Sequence, residues 1–327
     1  MTTRALITGA AGQDGTYLTE LLIGKGYEVY GVIGPAPGAF RDGIGRWGEA
    51  YTVLSADLTD MESLLRAVEV SRPDEVYNLA AQSSVGGSWV DAVTTTEVNA
   101  VGVVRLLEAV RQTAPQAHVF QAASAEMFGN GAEVPQREST PLRPHSPYAA
   151  TKAYAFHIAR SYRESYGMHV SSGIMFNHES PLRGMQFVTR KITNTVARIK
   201  LGLADELCLG NLDAKRDWGF AGDYVEAMRL MLQSAEADDY VIATGEVHTV
   251  RDFCETAFSH VGLDWRRYVR TDEASMRPVD VDVLCGDSSK ARRLLGWEPK
   301  VRFEELAAMM VDADMQLESQ ADGPVRS

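Results

Sequence analysis

The chain has 327 residues, of which 45% are hydrophobic, and its formal net charge is −12 at pH 7. This length predicts one large α/β domain, or two lobes, with a sizeable buried core. The acidic balance excludes broad binding to nucleic acid or to an anionic membrane, so an anionic ligand requires a local cluster of cations.

Short apolar runs alternate with segments of helical periodicity in the first half of the chain. The predicted strands are Ala5–Thr8, Glu28–Ile33, Tyr51–Ser55, Glu75–Ala80, His118–Ala122 and His169–Met175. The predicted helices are Thr16–Lys25, Met61–Val68, Val98–Gln112 and one that begins near Pro147. Because the strands are apolar throughout and helices separate them, the pattern predicts a Rossmann-type, doubly wound parallel sheet over residues 1–175.

The alternation becomes irregular from about Ser180. The predicted elements of this part are the strands Leu207–Leu209 and Tyr240–Ala243 and the helices Arg190–Leu201, Tyr224–Ser234, Val250–His260 and Phe303–Gln316. We therefore predict a smaller mixed α/β lobe over residues 176–320 that binds the substrate, with some segments crossing back to the first domain. The polar residues 321–327 are predicted to be a disordered tail.

The cysteines and the apolar segments exclude further classes of protein. Cys208, Cys254 and Cys285 are widely separated, so they predict neither a metal site nor a disulfide framework, but buried thiols of a reducing compartment. No charged-then-apolar leader opens the chain, and no segment approaches the roughly 18 apolar residues of a membrane span. We therefore expect a cytoplasmic protein that does not bind membranes.

A glycine-rich turn with the spacing G-x-x-G-x-x-G follows the first predicted strand and opens the first helix. Such a turn lets backbone N–H groups and the helix N-terminus approach a pyrophosphate closely, and its position favours dinucleotide binding over tight packing alone. Further contacts are expected after the third and fourth strands, although small residues there are also compatible with simple packing. The predicted cofactor-binding residues are Gly9, Gly12, Gln13, Asp14, Gly15, Asp57, Leu58, Leu79, Ala80 and Ala81.

The end of the second strand indicates which nicotinamide cofactor binds. A carboxylate there accepts from the ribose 2′-hydroxyl of NAD, whereas arginines bind the 2′-phosphate of NADP. The segment Val32–Phe40 contains neither, and Arg41 and Arg46 lie further along. The missing cations favour NAD, with NADP as the alternative.

Tyr148 and Lys152 begin the helix after Pro147, and their spacing of four places both side chains on one helical face. A nearby ammonium and an oxidised nicotinamide ring favour the phenolate, which makes the tyrosine a usable base. Y-x-x-x-K often arises by chance, but Ser124 and Glu126 lie at the end of the fifth strand, where doubly wound sheets bind ligands. Together these residues predict oxidoreductase chemistry with Ser124, Glu126, Tyr148 and Lys152 as the catalytic residues, the last two also contacting the cofactor. A solvated acid at a helix start is the alternative for Glu126.

Seven stretches carry a family resemblance, namely Thr8–Leu18, Tyr77–Gln82, Ala125–Gly129, Ser146–Lys152, Phe176–Pro181, Phe187–Lys191 and Gly210–Trp218. With them the sequence resembles the extended short-chain dehydrogenase/reductase family over nearly its whole length, and within it the GDP-mannose 4,6-dehydratases. The resemblance implies a nucleotide-diphosphate sugar as the ligand, and a homodimer formed through the helices at Val98–Gln112 and Tyr148–Tyr162. The predicted substrate-binding residues, whose cations would neutralise the diphosphate, are Ser84, Asn177, Arg183, Arg190, Lys191, Arg216 and Arg277.

The resemblance also implies a reaction sequence. Tyr148 removes the C4 hydroxyl proton of the sugar while hydride passes from C4 to the cofactor. Glu126 then takes the C5 proton as hydroxide leaves C6, and hydride returns to C6. The cofactor emerges unchanged.

Two features depart from the family pattern. Ala125 stands where the family has a hydroxyl, so elimination at C6 is expected to lose a candidate acid. Residues 34–38 replace the arginine-serine loop that binds the NADP phosphate and helps to build a tetramer in the family.

Three hypotheses of function follow from these residues. The first is a 4,6-dehydratase acting on GDP-mannose or a related nucleotide sugar. The second is an NAD-dependent 4-epimerase of a nucleotide-linked hexose or heptose, which uses the same C4 ketone and is favoured by Ala125 and the second strand. The third is a catalytically silent nucleotide-binding protein, against which the intact Ser124, Glu126, Tyr148 and Lys152 argue.

Overall fold

The computed structural model describes residues 2–34, 47–130, 133–272 and 281–321. Its strands are β1 (Arg4–Thr8), β2 (Glu28–Ile33), β3 (Tyr51–Ser55), β4 (Glu75–Asn78), β5 (His118–Ser124), β6 (Val170–Met175), β7 (Asn177–Glu179), β8 (Leu207–Leu209), β9 (Lys215–Arg216), β10 (Trp218–Phe220), β11 (Asp239–Ile242), β12 (His248–Thr249) and β13 (Val269–Thr271). Its α-helices are α1 (Gln13–Gly24), α2 (Met61–Ser71), α3 (Val85–Val90), α4 (Ala92–Thr96), α5 (Gly102–Thr113), α6 (Pro147–Tyr166), α7 (Val188–Lys200), α8 (Ala221–Gln233), α9 (Val250–His260), α10 (Ser289–Leu295) and α11 (Phe303–Ala321).

Seven strands form one parallel sheet in the order β11-β6-β5-β4-β1-β2-β3. From β1 the chain proceeds to β2 and β3 on one side, and from β4 it proceeds to β5 and β6 on the other side. The connections that follow β1 and β4 therefore lead in opposite directions, and a crevice opens between them at the carboxyl edge of the sheet. This topology confirms the predicted doubly wound Rossmann-type fold.

Both faces of this sheet are covered by helices. Leu6, Val76 and Val119 pack on one face, in the apolar core with α2, α5 and α6. The residues that follow them, Ile7, Tyr77 and Phe120, pack on the other face, in the core with α1 and α8. Because successive side chains of a strand point to opposite faces, a strand buried on both sides must be apolar at every position. This is why the strands of the first half were recognisable as continuous apolar runs.

The second half of the chain contributes to two cores. Strand β11 pairs with β6, and α8 packs against α1, so this part of the chain returns to the central sheet. Helices α7, α9 and α11 enclose a separate apolar core that contains Ile192, Phe253 and Leu306. The domain boundary at residues 175/176 stays a prediction.

Several elements differ from the predicted ones. Strand β4 ends at Asn78, before the predicted Ala80, and the helix predicted from Val98 begins with a π-helical turn, Glu97–Val101. The short elements α3, α4, α10, β7, β9, β10, β12 and β13 were missed, because two to seven residues are too few to show a period. Helix α11 extends through Ala321, the first residue of the predicted tail, and residues 322–327 lie outside the described residues. Within the described ranges, no helix combines the length and apolarity needed to span a bilayer.

A buried ion pair joins α7 to α11. Arg190 Nη2 lies 2.7 Å from Asp314 Oδ1, and Arg190 Nε donates to both oxygens of this fully buried carboxylate at 2.8 and 3.0 Å. The hydroxyl of Thr193 donates to Asp314 Oδ2 at 2.7 Å. Because each charge is removed from water and satisfied by the other, losing one partner leaves an uncompensated buried charge.

We therefore expect Arg190→Met to lower the free energy of unfolding by about 3–5 kcal/mol, measured by urea unfolding. Arg198 is the matched control, because it joins the same two helices through Glu318 at 2.8 Å but leaves 43% of its side chain exposed. Arg198→Met should cost less than about 1 kcal/mol. Equal losses in the two variants would contradict a structural role for the Arg190 pair.

Candidate active site

The turn between β1 and α1 is forced by close backbone contacts. Gly9 has a φ of +70°, and a Cβ on it would lie 2.8 Å from the backbone nitrogen of Ala80. A Cβ on Gly15 would lie 2.4 Å from the carbonyl oxygen of Gly9. Gly12 is the N-cap of α1 and supplies no side chain to cap it. The first N–H groups of α1 thus meet the crevice without a side-chain cap, which is the arrangement that binds a pyrophosphate.

A chain of polar side chains links three neighbouring strands, β1, β4 and β5, beside this turn. Thr8 Oγ1 donates to Asn78 Oδ1 at 2.7 Å, and Asn78 Nδ2 donates to Gln121 Oε1 at 2.8 Å. The backbone nitrogens of Leu79 and Ala80 donate to Thr8 Oγ1 at 3.2 and 3.1 Å. These bonds hold the segment from Leu79 to Ala81 against the glycine turn, which is where cofactor contacts were predicted.

The predicted catalytic residues come together at the same edge. Ser146 caps α6 by accepting from the backbone nitrogen of Ala149 at 3.1 Å, which fixes the turn that carries Tyr148 and Lys152. Lys152 Nζ donates to the carbonyl oxygen of Ala122 at 2.9 Å and lies 5.9 Å from the centroid of the Tyr148 ring. Ser124, the last residue of β5, hydrogen-bonds Tyr148. The side chains of Ser124, Tyr148 and Lys152 are all buried.

Burial shifts both titrations of the Tyr–Lys pair. It raises the pKa of Tyr148 to about 12, against the smaller opposing effects of the Ser124 hydrogen bond and the Arg183 charge. Burial also lowers the pKa of Lys152 to about 8, and the Asp14 carboxylate opposes this shift. The phenol therefore needs a positive charge placed beside it before it can act as a base at neutral pH.

A cavity of about 140 Å³ opens next to this cluster, between the segments that carry β7, α7 and β9. Two carboxylates, two amides and two guanidinium groups line it, from Glu126, Glu179, Asn177, Asn211, Arg183 and Arg216. Arg183 Nε lies 3.0 Å from the buried Glu179 carboxylate, and its guanidinium carbon lies 3.5 Å from the centroid of the Phe187 ring. These contacts hold a cation at the cavity wall, as binding of a diphosphate requires.

A larger cavity of about 890 Å³ opens elsewhere, beside Asp74, Glu75 and His118. Glu75 and His118 begin their strands, so this cavity lies at the amino edge of the sheet. None of the predicted site residues within the described ranges lines it. Parallel doubly wound sheets bind ligands at the carboxyl edge, so the smaller cavity is the one that fits the chemistry.

Of the other predicted substrate-binding residues, Ser84, Arg190 and Lys191 do not line this smaller cavity. Arg190 is engaged by Asp314, which favours a structural role over contact with phosphate. Lys191 is exposed on α7, and Ser84 caps α3 by accepting from the backbone nitrogen of Gly87 at 3.0 Å. Arg277, like Arg41 and Arg46, lies outside the described residues.

Two of the predicted cofactor-binding residues, Asp57 and Leu58, follow β3. Asp57 Oδ1 accepts from the backbone nitrogen of Thr59 at 2.8 Å, and Leu58 is buried in the core of α2 and α5.

Among the described residues there is no cluster of three or more His, Cys, Asp or Glu side chains arranged to hold a metal ion.

The position of Ala125 corrects one expectation. This residue is 2% exposed and packs in an apolar cluster with Phe128, Ala153, Phe156 and Ile174. It does not line the cavity that its neighbour Glu126 lines. The alanine therefore removes no acid from the cavity, and it no longer favours epimerisation over elimination.

Asn99 is a site residue that the sequence did not reveal. It lies in the π-helical turn before α5, where Asn99 Oδ1 accepts from the backbone nitrogen of Gln82 and Asn99 Nδ2 donates to the carbonyl oxygen of Gln82, both at 2.9 Å. It is 2% exposed and fixes the loop after β4. The one signal for it was an amide inside an otherwise apolar helical stretch.

The doubly wound sheet, the glycine turn after β1 and the Tyr–Lys pair at the start of α6 define an extended short-chain dehydrogenase/reductase. The chain belongs to the GDP-mannose 4,6-dehydratase family, whose profile matches residues 6–310. It is similar to GDP-mannose 4,6 dehydratase 2 of Arabidopsis thaliana, with 52% identity over 325 residues that cover 96% of this chain and 87% of the relative. It is also similar to the GDP-mannose 4,6 dehydratase of Homo sapiens, with 45% identity over 343 residues that cover 96% and 91%.

Solved structures share this fold. DesIV, a dTDP-glucose 4,6-dehydratase from Streptomyces venezuelae with NAD bound, matches with a TM-score of 0.88 and 26% identity, covering 97% of this chain and 98% of that chain. The UDP-glucose 4-epimerase of Thermus thermophilus in complex with NAD matches with a TM-score of 0.85 and 31% identity, covering 95% and 99%.

The glycine turn yields a direct test of the cofactor site. In Gly15→Ala the new methyl group would collide with backbone atoms, which cannot move without unwinding the turn, so we expect dinucleotide affinity to fall at least about tenfold. Gly24→Ala is the matched control at the other end of α1, where a Cβ meets nothing within 4 Å. This variant should keep the affinity and gain up to about 1 kcal/mol in stability. Calorimetric titration with NAD and NADP measures the affinity of the two variants. An unchanged affinity in Gly15→Ala would place the dinucleotide elsewhere.

Proposed function

We propose that the chain acts as a GDP-mannose 4,6-dehydratase that converts the sugar nucleotide to its 4-keto-6-deoxy form. The observation that carries the proposal is the placement of Glu126 in the same cavity as Asn177, Arg183 and Arg216, next to the Tyr148–Lys152 pair. The dehydratase names of relatives at 45–52% identity support the choice of substrate and reaction.

The cavity would bind the substrate, and the buried cluster of Ser124, Tyr148 and Lys152 would oxidise it at C4. Arg183 and Arg216 would bind the diphosphate, which places the sugar between Glu126 and Tyr148. The glycine turn at Gly9, Gly12 and Gly15 would hold a nicotinamide cofactor, which would supply the acceptor for the C4 hydride and the hydride for C6. Tyr148 accepts the proton of the C4 hydroxyl, with Lys152 supplying the nearby positive charge and Ser124 the hydrogen bond.

Elimination falls to Glu126. The C4 ketone makes the C5 proton acidic, and the carboxylate of Glu126 takes it. The same proton then passes to the hydroxyl that leaves C6, so water departs and a C5–C6 double bond remains. Addition of hydride at C6 leaves an enolate, which is protonated at C5, and the proton that Tyr148 took from the C4 hydroxyl balances this step. Because Ala125 is buried, no second acid from that position is invoked.

The uncapped N-terminus of α1 and the close backbone contacts of its glycine turn suit a dinucleotide pyrophosphate. Strand β2 ends at Ile33 and is followed by Gly34, without a cation at that point of the sequence. The Streptomyces and Thermus structures both contain NAD, which supports our preference for NAD over NADP. The residues that follow, 35–46, lie outside the described residues.

Incubation with GDP-mannose tests the reaction. The wild type should form a 4-keto-6-deoxy product that absorbs in alkali, and Glu126→Gln should lower kcat by about 100-fold or more while still binding GDP. Glu246→Gln removes a solvent-exposed carboxylate outside the cavity and should keep full activity. Mass spectrometry of the nucleotide released on denaturation identifies the cofactor. A product of unchanged mass with inverted C4 configuration would establish a 4-epimerase instead.

We also propose that two chains pair through α6, one of the two helices that the family resemblance implies, together with its neighbours α3 and α4, whereas the pairing through the helix at Val98–Gln112 stays a prediction. Val90, Val93 and Tyr154 leave 90%, 76% and 48% of their surface exposed there, and α4 packs against α6. Neighbouring apolar side chains with such exposure are typical of an interface.

The cytoplasmic location stays a prediction.

Light scattering tests the pairing. Val93→Glu should convert a dimer into a monomer, because it places a charge in the apolar contact. Val70→Glu changes an equally apolar, 57% exposed residue on α2 and should leave the mass unchanged. A wild-type monomer, or loss of the dimer in both variants, would refute this face as the interface.

A further inference from the structure

A fully buried carboxylate follows Arg216 in the chain. Asp217 connects β9 to β10 and is 0% exposed. Its Oδ1 accepts from the backbone nitrogen of Thr244 at 2.9 Å and from the hydroxyl of the same residue at 2.7 Å. Its Oδ2 accepts from the backbone nitrogens of Gly245 at 2.9 Å and Gly286 at 3.2 Å. Burial raises the pKa of Asp217, and these four bonds oppose the shift, because they fill every acceptor position of an ionised carboxylate.

The segment 281–287 lies along β9 and is bound to Asp217 near its carboxyl end. The backbone nitrogen of Lys215 donates to the carbonyl oxygen of Asp282 at 3.2 Å, and the backbone nitrogen of Leu284 donates to the carbonyl oxygen of Lys215 at 3.3 Å. The bonds to β9 and to the Asp217 carboxylate therefore fix where this segment runs.

The amino end of the same segment orients Arg216. Arg216 Nη1 donates to the carbonyl oxygen of Val281 at 2.7 Å and to the carbonyl oxygen of Lys215 at 2.8 Å. Two acceptors on one nitrogen restrict the rotation of the planar guanidinium group. Arg216 is 6% exposed and lines the cavity that carries Glu126. The bonds thus form a continuous path from the Asp217 carboxylate, through the segment 281–287, to the cation at the cavity wall.

The segment has a second anchor that does not involve Asp217. The fully buried Gln136 accepts at Oε1 from the backbone nitrogen of Cys285 at 2.9 Å, and its own backbone nitrogen donates to the carbonyl oxygen of Cys285 at 2.7 Å. Loss of the Asp217 bonds should therefore displace the segment without detaching it, and we expect an Asp217 variant to fold.

We propose that Asp217 is a positioning residue for substrate binding, which holds the segment 281–287 and thereby directs the Arg216 guanidinium at the diphosphate of the sugar nucleotide. The ligand rests on the proposed function, but the orientation of Arg216 can be measured with no ligand present. Asparagine cannot take the place of the carboxylate, because its amide NH₂ group would face backbone N–H groups that also only donate.

Calorimetric titration with GDP measures the effect on binding. In Asp217→Asn the Kd for GDP should rise about tenfold, since a charge-assisted hydrogen bond loses its geometry, whereas the Kd for NAD should not change. With GDP-mannose as substrate, KM should rise by a similar factor and kcat should change less than about twofold, because the diphosphate contact is the same in the ground state and the transition state.

Asp223→Asn is the matched control. Asp223 is 8% exposed and also accepts from backbone nitrogens, those of Lys300 at 2.8 Å and Val301 at 3.0 Å, which lie outside the segment 281–287. This variant should keep the wild-type Kd for GDP. An equal loss of GDP affinity in Asp217→Asn and Asp223→Asn would overturn the proposal.

A double-mutant cycle tests whether Asp217 acts through Arg216. Arg216→Met alone should raise the Kd for GDP about 30-fold or more. If Asp217 acts only by directing this side chain, adding Asp217→Asn should change the Kd by less than about twofold. A further tenfold loss in the double variant would overturn the proposal.

Side-chain ¹⁵N relaxation of the full chain without ligand measures the orientation itself. The Arg216 Nε resonance is assigned by its absence in Arg216→Lys. Its order parameter should be about 0.85 in the wild type and in Asp223→Asn, and should fall below about 0.6 in Asp217→Asn. The Arg183 Nε resonance serves as the internal control and should keep its order parameter in all variants.

An unchanged GDP affinity or an unchanged Arg216 order parameter in Asp217→Asn would overturn the proposal. Thr244→Val is the milder variant if Asp217→Asn does not fold, because it removes the hydroxyl donor to Asp217 and keeps the backbone donor. Its Kd for GDP should rise about threefold, and an unchanged Kd would count against Asp217. If the wild type neither binds GDP nor makes the 4-keto product, the proposed function fails, and the order parameters alone decide the role of Asp217.

Discussion

An ammonium group held out of water beside a phenol is the constraint on which the rest of this structure depends. Lys152 is 6% exposed, and burial works against its charge. The fold stabilises that charge with the carbonyl oxygen of Ala122 at the end of the central sheet and with the Asp14 carboxylate at the start of α1. Strand β5, helix α6 and helix α1 must therefore meet at one edge, and a doubly wound parallel sheet with its crevice beside β1 and β4 brings them there.

The second half of the chain is attached to that edge through polar contacts. His178 Nε2 lies 2.8 Å from the Asp14 carboxylate at the start of α1. The next residue, Glu179, accepts from Thr189 and lies next to Arg183, so the segment carrying Asn177 is fixed on both sides. Arg190 is also buried in this region, and its ion pair with Asp314 joins α7 to α11. An acidic chain thus presents two arginines to the cavity by holding each of them against protein oxygens, which keeps them positioned before an anionic ligand arrives.

The sequence was sufficient for the parts of the molecule that depend on local pattern. An apolar run predicted β2 with the bounds it has, because this strand is covered on both faces. The bounds of β3 were also predicted, although it is the edge strand of the sheet and most of its residues are exposed. The glycine turn and the Tyr148–Lys152 pair were recognisable because each function requires a fixed spacing within one turn. Family resemblance supplied Asn177, Arg183 and Arg216, which the structure brings into one cavity.

What the sequence could not supply depends on long-range contacts. Arg190 and Arg183 look alike along the chain, and only the approach of Asp314 from α11 separates a structural arginine from one at the cavity wall. The same holds for Ala125, whose neighbours Phe128 and Phe156 place it in a core, and for Asn99, whose partner Gln82 lies 17 residues away. A contact such as that of Asp14 with His178 cannot be predicted from sequence periodicity, because the two residues are 164 positions apart and lie in different elements.

One site must both oxidise C4 and reduce C6 of the same sugar if the proposed reaction is correct. GDP-mannose carrying deuterium at C4 tests this most directly, when it is mixed with an equal amount of unlabelled substrate and the product is analysed by NMR and mass spectrometry. We predict that deuterium moves to C6 of the molecule that brought it, with no crossover into unlabelled product. Deuterium retained at C4, lost to water or spread over both populations would contradict a single cavity in which hydride leaves and returns.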